Sequence, residues 1–199
     1  MKFIIFEGID GCGKSTQVKN LAAVMQKKGL PFITTRQPSD GPVGKLMRTA
    51  TDGFLPLENE TMALLVAADR YQHVCTEIKP ALAAGQYVLC DRYYYSSFAF
   101  QGIDPGAFSR VAAYNAQVIT RYPPDVVFFI DTAPAECIRR ITTNRDYGGL
   151  YDDEQKLTTI RARYMEIFEK ASEKKRVIFI NGNADEKQVT VEILSHLPF

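Results

Sequence analysis

Short, almost purely apolar runs recur along the chain, and between them the apolar residues are spaced three or four positions apart. Apolar runs of this length are typical of strands buried on both faces of a parallel sheet. They predict strands at residues 2–7, 32–36, 87–90, 125–131 and 177–181. The fourth run, DVVFFID, is the most continuously apolar, so we expect it in the interior of the sheet.

The stretches between these runs show the spacing of amphipathic helices. Residues 17–28 carry Val18, Leu21 and Met25 at helical intervals, and Gly29 follows as a suitable terminator. Further helices are predicted at 41–50, 57–84, 105–122, from Pro134 through CIRRITTN, at 157–174 and at 186–197. Strands that alternate with helices predict an α/β domain built on a parallel sheet.

Composition narrows the class of protein. A length of 199 residues suits one domain, which we assign to residues 1–199, and 46% apolar with 24% charged residues is ordinary for a globular protein. The 24 basic residues nearly balance the 23 acidic ones, so the surface offers no excess positive charge for nucleic acid or an anionic membrane. With no apolar window of membrane-spanning length and no leader-like segment before the first strand, we expect a cytoplasmic protein.

The cysteines are too far apart to form a recognisable metal or disulfide pattern. Cys12, Cys75, Cys90 and Cys137 include no Cys-x-x-Cys pair, so reduced thiols are expected. Cys12 has two interpretations. One is a thiol whose pKa is lowered by Lys14 and a helix N-terminus, and the other is a small residue that fits the loop.

A phosphate-binding motif follows the first predicted strand. Gly8, Gly13, Lys14 and Ser15 occupy the fixed positions of Gly-x-x-x-x-Gly-Lys-[Ser/Thr], and a helical pattern opens directly afterwards. Backbone N–H groups of such a loop bind a polyphosphate, the lysine neutralises its outer oxygens, and the serine hydroxyl ligates Mg²⁺. The residues expected at the nucleotide are Gly8, Ile9, Asp10, Gly11, Cys12, Gly13, Lys14, Ser15 and Thr16.

Charged residues stand where two other strands end. Arg36 closes the second predicted strand, and Asp91 and Arg92 follow the third. Open α/β sheets bind ligands at this edge. Asp91 is therefore a candidate for holding Mg²⁺ and Arg92 for bridging two phosphate groups, which suits phosphoryl transfer. A structural ion pair and a solvated arginine are the alternatives.

Two further features have both a structural and a functional interpretation. Asp69 and Arg70 interrupt a strongly apolar helix, either as a local ion pair or because Arg70 reaches into a ligand pocket. Residues 93–102 combine tyrosines and phenylalanines with Ser97 and Gln101. Such a segment can form a pocket for a flat heterocycle, or its aromatic residues can be core.

Over essentially its full length the chain resembles the thymidylate kinase family. The segments FEGIDGCGKST, TRQP, AADRYQHV, DRYYYSSFAFQG and RARYMEI occur in that family's order and at about its spacings. The resemblance implies a P-loop kinase fold with a five-stranded parallel sheet flanked by helices, and a short mobile lid at about residues 142–153. It also implies transfer of the ATP γ-phosphoryl group to dTMP, dependence on Mg²⁺ and, usually, a homodimer.

At the phosphate end the resemblance implies that Asp10 holds the sugar 3′-hydroxyl, while Arg36 and Arg92 clamp the acceptor phosphate. The acceptor oxygen is already anionic, so catalysis needs no general base and depends on alignment and charge stabilisation. Because the glycine loop lacks an arginine that some members carry there, the lid is expected to complete the clamp. The lid candidates are Arg145 first, then Arg140 and Arg139.

At the base end the resemblance implies four contact residues, namely Arg70, Ser97, Phe100 and Gln101. Arg70 would hydrogen-bond the base, and Phe100 would pack against the deoxyribose. Val66 stands where the family commonly has a phenylalanine stacking on the thymine ring, so part of that platform is expected to be missing or supplied elsewhere. Gln37 replaces a common glutamate.

Two other functions remain open at this point. One is a kinase for another deoxynucleoside or deoxynucleoside monophosphate. The other is a non-catalytic P-loop nucleotide-binding module, although the chain contains no Asn-Lys-x-Asp segment that would read guanine.

Overall fold

The computed structural model describes residues 2–102, 106–144, 153–169 and 175–199. Its centre is a sheet of five parallel strands in the order β2-β3-β1-β4-β5. The strands are β1 (Phe3–Glu7), β2 (Phe32–Arg36), β3 (Tyr87–Asp91), β4 (Val126–Asp131) and β5 (Val177–Asn181). The predicted five-stranded parallel sheet is confirmed, and β4 lies in its interior as expected.

Helices cover the sheet. They are α1 (Lys14–Lys27), α2 (Pro42–Thr51), α3 (Asn59–His73), α4 (Lys79–Ala83), α5 (Tyr94–Gln101), α6 (Ala107–Arg121), α7 (Pro134–Asn144), α8 (Glu154–Glu169) and α9 (Glu186–Ser195). A π-helical turn, Val74–Ile78, joins α3 to α4. It ends two residues before Pro80, whose ring would clash with the carbonyl of residue 76 in a regular α-helix.

Several helical predictions differ from the structure. The predicted helical region 57–84 is divided by the π-helical turn, and α8 begins at Glu154, three residues before its predicted start. α1 begins at Lys14, three residues before the predicted start, because its first turn is polar and shows no apolar period. Residues 93–102 were assigned only to a pocket or core segment, whereas α5 occupies Tyr94–Gln101. All eight of its residues are buried, so no polar face reveals a helical period in the sequence.

The core surrounds β1, the middle strand, in which no residue is more than 1% exposed. From β1 the chain runs towards the edge of the sheet where β2 lies, and from β4 it runs towards the opposite edge, where β5 lies. Ligands bind open α/β sheets at the carboxyl ends of strands where the connections diverge in this way. Within the part of the chain that the structure describes, no helix is long and apolar enough to cross a membrane.

Candidate active site

The loop between β1 and α1 has a backbone that only glycine adopts readily. Gly8, Gly11 and Gly13 have φ values of 147°, 77° and 103°. A Cβ at Gly11 would also lie 2.6 Å from the carbonyl oxygen of Cys137, on α7. These glycines therefore hold the loop close against α7 and leave the backbone N–H groups at the start of α1 for an anion.

Lys14 and Ser15 lie at the start of α1, beside the end of β3. The Lys14 ammonium is buried and donates a hydrogen bond to the carbonyl oxygen of Ile9, at 2.9 Å, so it lies over the loop. The Ser15 hydroxyl donates to the carboxylate of Asp91. A hydroxyl and a carboxylate are the hard oxygen ligands that Mg²⁺ prefers, and this pair fits the expected metal site.

The interpretation of Cys12 as an activated thiol is wrong. The residue is 1% exposed, and burial raises the pKa of its thiol even though Lys14 acts in the opposite direction. Its sulfur packs against the loop, where a Cβ at Gly8 would lie 2.7 Å away. Cys12 is thus the small residue that fits, and all four cysteines are free thiols.

A large cleft of about 1460 Å³ opens on the α7 side of the glycine loop. It is lined by residues 10–17, by part of α7 and by residues 182–186 after β5. Arg140 donates to the carbonyl oxygens of Cys12 and Gly182, at 3.3 and 2.9 Å, and pairs with Glu136. Its guanidinium therefore connects the loop, α7 and the end of β5 beside the cleft.

The other lid candidates are placed differently. Arg139 is largely exposed and makes two hydrogen bonds to Glu136, and with Arg140 it lowers the pKa of that carboxyl to about 2. Arg145 and most of the predicted lid lie outside the described residues.

A second cleft, of about 640 Å³, lies on the opposite side of the loop. Its lining residues are Asp10, Gln37, Pro38, Met47, Thr51, Val66, Arg70, Arg92, Ser96, Ser97, Phe100 and Gln101. Asp10 lines both clefts, so the two meet end to end at the glycine loop.

Arg92 lies where the two clefts meet. Its backbone is left-handed, with φ of 70°, which is uncommon for a residue with a side chain and turns it back towards the loop. The guanidinium pairs with Asp10 at 2.8 Å and lies 5.0 Å from the ring centre of Phe100. Burial alone would lower the pKa of Arg92, but the neighbouring charges of Asp10 and Asp91 raise it above its ordinary value, so the guanidinium stays charged.

A buried carboxylate, Glu7, which was not predicted as a site residue, is linked to Arg92 through two hydroxyl groups. Glu7 accepts hydrogen bonds from the Ser96 hydroxyl at 2.7 Å and from the Tyr164 hydroxyl at 2.8 Å. Because these hydroxyls donate to Glu7, their oxygens can accept from Nη1 of Arg92, at 3.2 and 3.3 Å. An acidic residue that ends an apolar strand just before the glycine loop is the sequence signal that could have identified it.

Arg70 lies in the wall of the second cleft. It is 1% exposed and donates to the Ser97 hydroxyl at 2.9 Å, to Asn115 Oδ1 at 2.5 Å and to the Tyr93 carbonyl at 3.1 Å. Its neighbour Asp69 accepts instead from the backbone N–H and the hydroxyl of Ser39. Of the two interpretations, the structure therefore favours Arg70 as a pocket residue.

Arg36 is not brought to either cleft. Its side chain is 57% exposed and pairs with Asp40, four residues further on, at 2.7 Å. The residue lies at the end of β2, opposite Asp91 in the register of β2 and β3. The expected partnership of Arg36 with Arg92 is therefore absent from the arrangement that the structure describes.

The apolar wall at the predicted base end comes largely from α2 and α3. Val66 packs with a small cluster around Met47, which is 1% exposed, and Thr51 and Pro38 complete this side. Phe100 lies on the Arg92 side of the cleft. Aliphatic side chains thus form part of the wall at the predicted base end, where Val66 stands in place of an aromatic ring.

Comparisons with known proteins agree on one family. A family model described as thymidylate kinase matches residues 6–193. A probable thymidylate kinase from Thermococcus kodakarensis is 34% identical over 204 residues, covering 97% of this chain and 95% of that protein. Thymidylate kinases from Cutibacterium acnes and Desulfotalea psychrophila are 32% and 41% identical, over 96% and 72% of this chain and 93% and 70% of their own lengths.

Proposed function

The chain belongs to the thymidylate kinase family, and on that premise we propose that it transfers the γ-phosphoryl group of ATP to dTMP, giving dTDP and ADP. The observation that carries the proposal is the meeting of two clefts at Asp10, with Lys14 on one side and Arg92 on the other. An in-line transfer between two anions needs this end-to-end arrangement.

We assign ATP to the larger cleft. Its phosphates would lie on the N–H groups of residues 8–16, with Lys14 at the β- and γ-oxygens. Ser15 and Asp91 would hold Mg²⁺, which would neutralise negative charge on the phosphates. Arg139 and Arg140 already border this cleft, and Arg145 is the further cation proposed to approach the transferring group.

We assign dTMP to the smaller cleft. Arg92 would bind its phosphate, with Asp10 at the sugar hydroxyl and Phe100 against the deoxyribose. Arg70, Ser97 and Gln101 line the far end, where the base would lie, and Val66 is part of the apolar wall.

Arg36 would join the acceptor phosphate only after leaving Asp40. The pair is exposed, and exposed ion pairs contribute about 0–1 kcal/mol, so breaking it costs little. Contact with a dianionic phosphate offsets that cost.

No side chain has to remove a proton in this mechanism. The attacking oxygen of dTMP carries negative charge, and the reaction requires alignment together with stabilisation of the charge on the transferring group. Arg92 is already held in place by Asp10, Ser96 and Tyr164. Little reorganisation is then needed at the moment of transfer.

An assay of ADP release with a panel of acceptors tests the proposed function. We expect the highest kcat/KM with dTMP and lower values with dUMP and dCMP. We expect no turnover with thymidine, because it carries no phosphate for Arg92 to bind. The Lys14→Ala variant, purified in the same way, measures the background from contaminating kinases. Preference for thymidine would instead indicate a nucleoside kinase, and no turnover with any acceptor would indicate a non-catalytic binding module.

We further propose that the protein is a homodimer and that it acts in the cytoplasm, where ATP is available. Leu64 and Tyr71 lie seven residues apart on α3, on one face of the helix, and each is 49% exposed. An exposed apolar face of this kind supports pairing with a second copy. Sedimentation of the wild type and of Leu64→Glu tests it, since only the wild type is expected to sediment as a dimer.

A further inference from the structure

Arg70 makes one contact that the proposed roles leave unexplained. Its Nε donates to Oε1 of Gln37, at 2.8 Å, and Gln37 is itself 6% exposed and borders the smaller cleft. The other end of the Gln37 amide lies 3.1 Å from Nδ1 of His73. His73 is 1% exposed, and its Nε2 lies 2.6 Å from the Thr35 hydroxyl and 3.2 Å from the carboxylate of Glu77.

Arg70 determines the direction of each hydrogen bond in the series that runs from Arg70 through Gln37 to His73. A guanidinium can only donate, so the oxygen of the Gln37 amide must face it. The NH₂ end of Gln37 then faces His73 and must donate, which requires a lone pair on Nδ1. The ring proton is therefore on Nε2, where Thr35 and Glu77 can accept it.

We infer that His73, acting through Gln37, is a positioning residue that keeps Arg70 in place for the base of the acceptor, and that it does so only while its ring is neutral. This inference rests on the proposed function. A protonated ring would donate from Nδ1 and turn the oxygen of Gln37 towards itself. The NH₂ group would then face Nε of Arg70, two donors would oppose each other, and Arg70 would have to move.

A glutamate at position 37 would remove this constraint. Both carboxylate oxygens accept, so one can face Arg70 and the other His73 in either protonation state of the ring. The dependence on a neutral His73 is thus a property of the glutamine in this chain.

The surroundings of His73 keep it neutral near pH 7. The charged groups around it are Asp69, Arg70 and Glu77, on the helical segment that carries it. The neutral side chains of Thr35, in β2, and of Gln37, directly after β2, face His73. Cys90, beside Thr35 in β3, stays a neutral thiol because burial raises its pKa. Burial lowers the pKa of His73 more than the two carboxylates raise it.

Imidazole ¹⁵N NMR of the full chain tests the tautomer directly. The protein has only two histidines, so a His196→Asn variant assigns both resonances. We expect His73 at pH 7.5 to be neutral with its proton on Nε2. A proton on Nδ1, or a fully protonated ring, would overturn the inference whatever the enzyme's substrate is.

Kinetics as a function of pH test the consequence. As the pH falls through the range in which NMR shows His73 to protonate, we expect KM for dTMP to rise by about tenfold or more, with a much smaller change in kcat. The phosphate of dTMP itself titrates near pH 6, so the profile needs a reference. The Gln37→Glu variant supplies it, because the substrate titrates in the same way with both proteins.

The difference between the two profiles decides the matter. We expect the Gln37→Glu variant to lose the extra rise in KM and to show a higher pKa for His73. Identical profiles for the two proteins would overturn the inference. If dTMP is not turned over at all, the proposed acceptor is wrong, and the NMR result alone decides the arrangement of His73 and Gln37.

Discussion

At the scale of single residues, Arg92 combines an uncommon backbone conformation with a guanidinium that several protein groups hold in place. Its guanidinium donates to Asp10, Ser96, Tyr164 and the carbonyl oxygen of Gly8. These partners fix the guanidinium before any ligand arrives, which is the condition for charge stabilisation without reorganisation.

Removal of the positive charge of Lys14 or of Arg92 should affect turnover far more than folding. We expect Lys14→Ala and Arg92→Ala each to reduce kcat by about 10²–10³-fold or more, because each takes one charge away from the transferring phosphoryl group. Steady-state kinetics give the loss, and circular dichroism shows that the fold persists. Turnover near the wild-type value in the Arg92 variant would remove this residue from the mechanism.

Glu7 should matter through the hydroxyls that it orients. In Glu7→Gln the amide oxygen must face the backbone N–H groups of Tyr93 and Ser96, because these can only donate. The NH₂ group then faces the Ser96 and Tyr164 hydroxyls, and a hydroxyl that accepts from it must direct its proton elsewhere, towards Arg92. We expect kcat to fall by about tenfold or more and the free energy of unfolding by about 1–3 kcal/mol, measured by kinetics and urea titration. Tyr164→Phe removes one hydroxyl without reversing any bond, and its kcat should fall less. An equal or larger loss in that control would contradict the orienting role.

At the scale of elements, the glycine loop, α1 and α7 form one unit, since the loop reaches α7 through backbone contacts at Gly11. The sequence predicts this unit well where the signals are local. Fixed glycines, an apolar strand and a helical period are all read within about twenty residues, and β2 and β5 occur at the predicted bounds.

Contacts between distant residues could not be predicted in this way. Glu7 and Tyr164 are 157 positions apart, and neither carries a pattern that names the other. The same holds for Arg36, because its pairing with the nearby Asp40 and its expected approach to Arg92 are both compatible with its place at the end of a strand. α5 was missed because uniform burial removes the periodicity by which helices are recognised.

Gly11→Ala should separate close approach from backbone strain. A methyl group there meets the Cys137 carbonyl at 2.6 Å at a φ of 77°, whereas Gly29 has a φ of 65° with nothing within 4 Å of its Cβ position. Gly29→Ala therefore introduces backbone strain without a steric clash, and should lower the free energy of unfolding by about 1–2 kcal/mol. We expect Gly11→Ala to lower the free energy of unfolding by clearly more and to weaken ATP binding, as measured by urea titration and calorimetry. Equal destabilisation of the two variants would argue against tight packing of the loop on α7.

At the scale of the whole molecule, stability should depend on pH through the buried imidazole. Because burial lowers the pKa of His73, the unfolded chain takes up a proton at about pH 6.5 while the folded chain does not. The free energy of unfolding should therefore decrease as the pH falls below about 6.5, by at most about 1.4 kcal/mol per pH unit from this group, until folded His73 protonates.

Urea titrations between pH 5 and 7 measure this slope. His73→Asn should flatten it, while His196→Asn, which changes an exposed ring, should retain it. The same slope in all three proteins would show that His73 does not govern acid stability in this range.

Asp10 borders both clefts, and this has a consequence for how such a gene can evolve. A mutation at that codon alters both clefts, so under the proposed assignment of ATP and dTMP, selection for a new acceptor cannot easily act there. Met47, Thr51 and Val66 border the smaller cleft and not the larger one. We expect lineages that diverge in the nucleotides they accept to have changed first along α2 and α3, and to have left residue 10 as their ancestors had it.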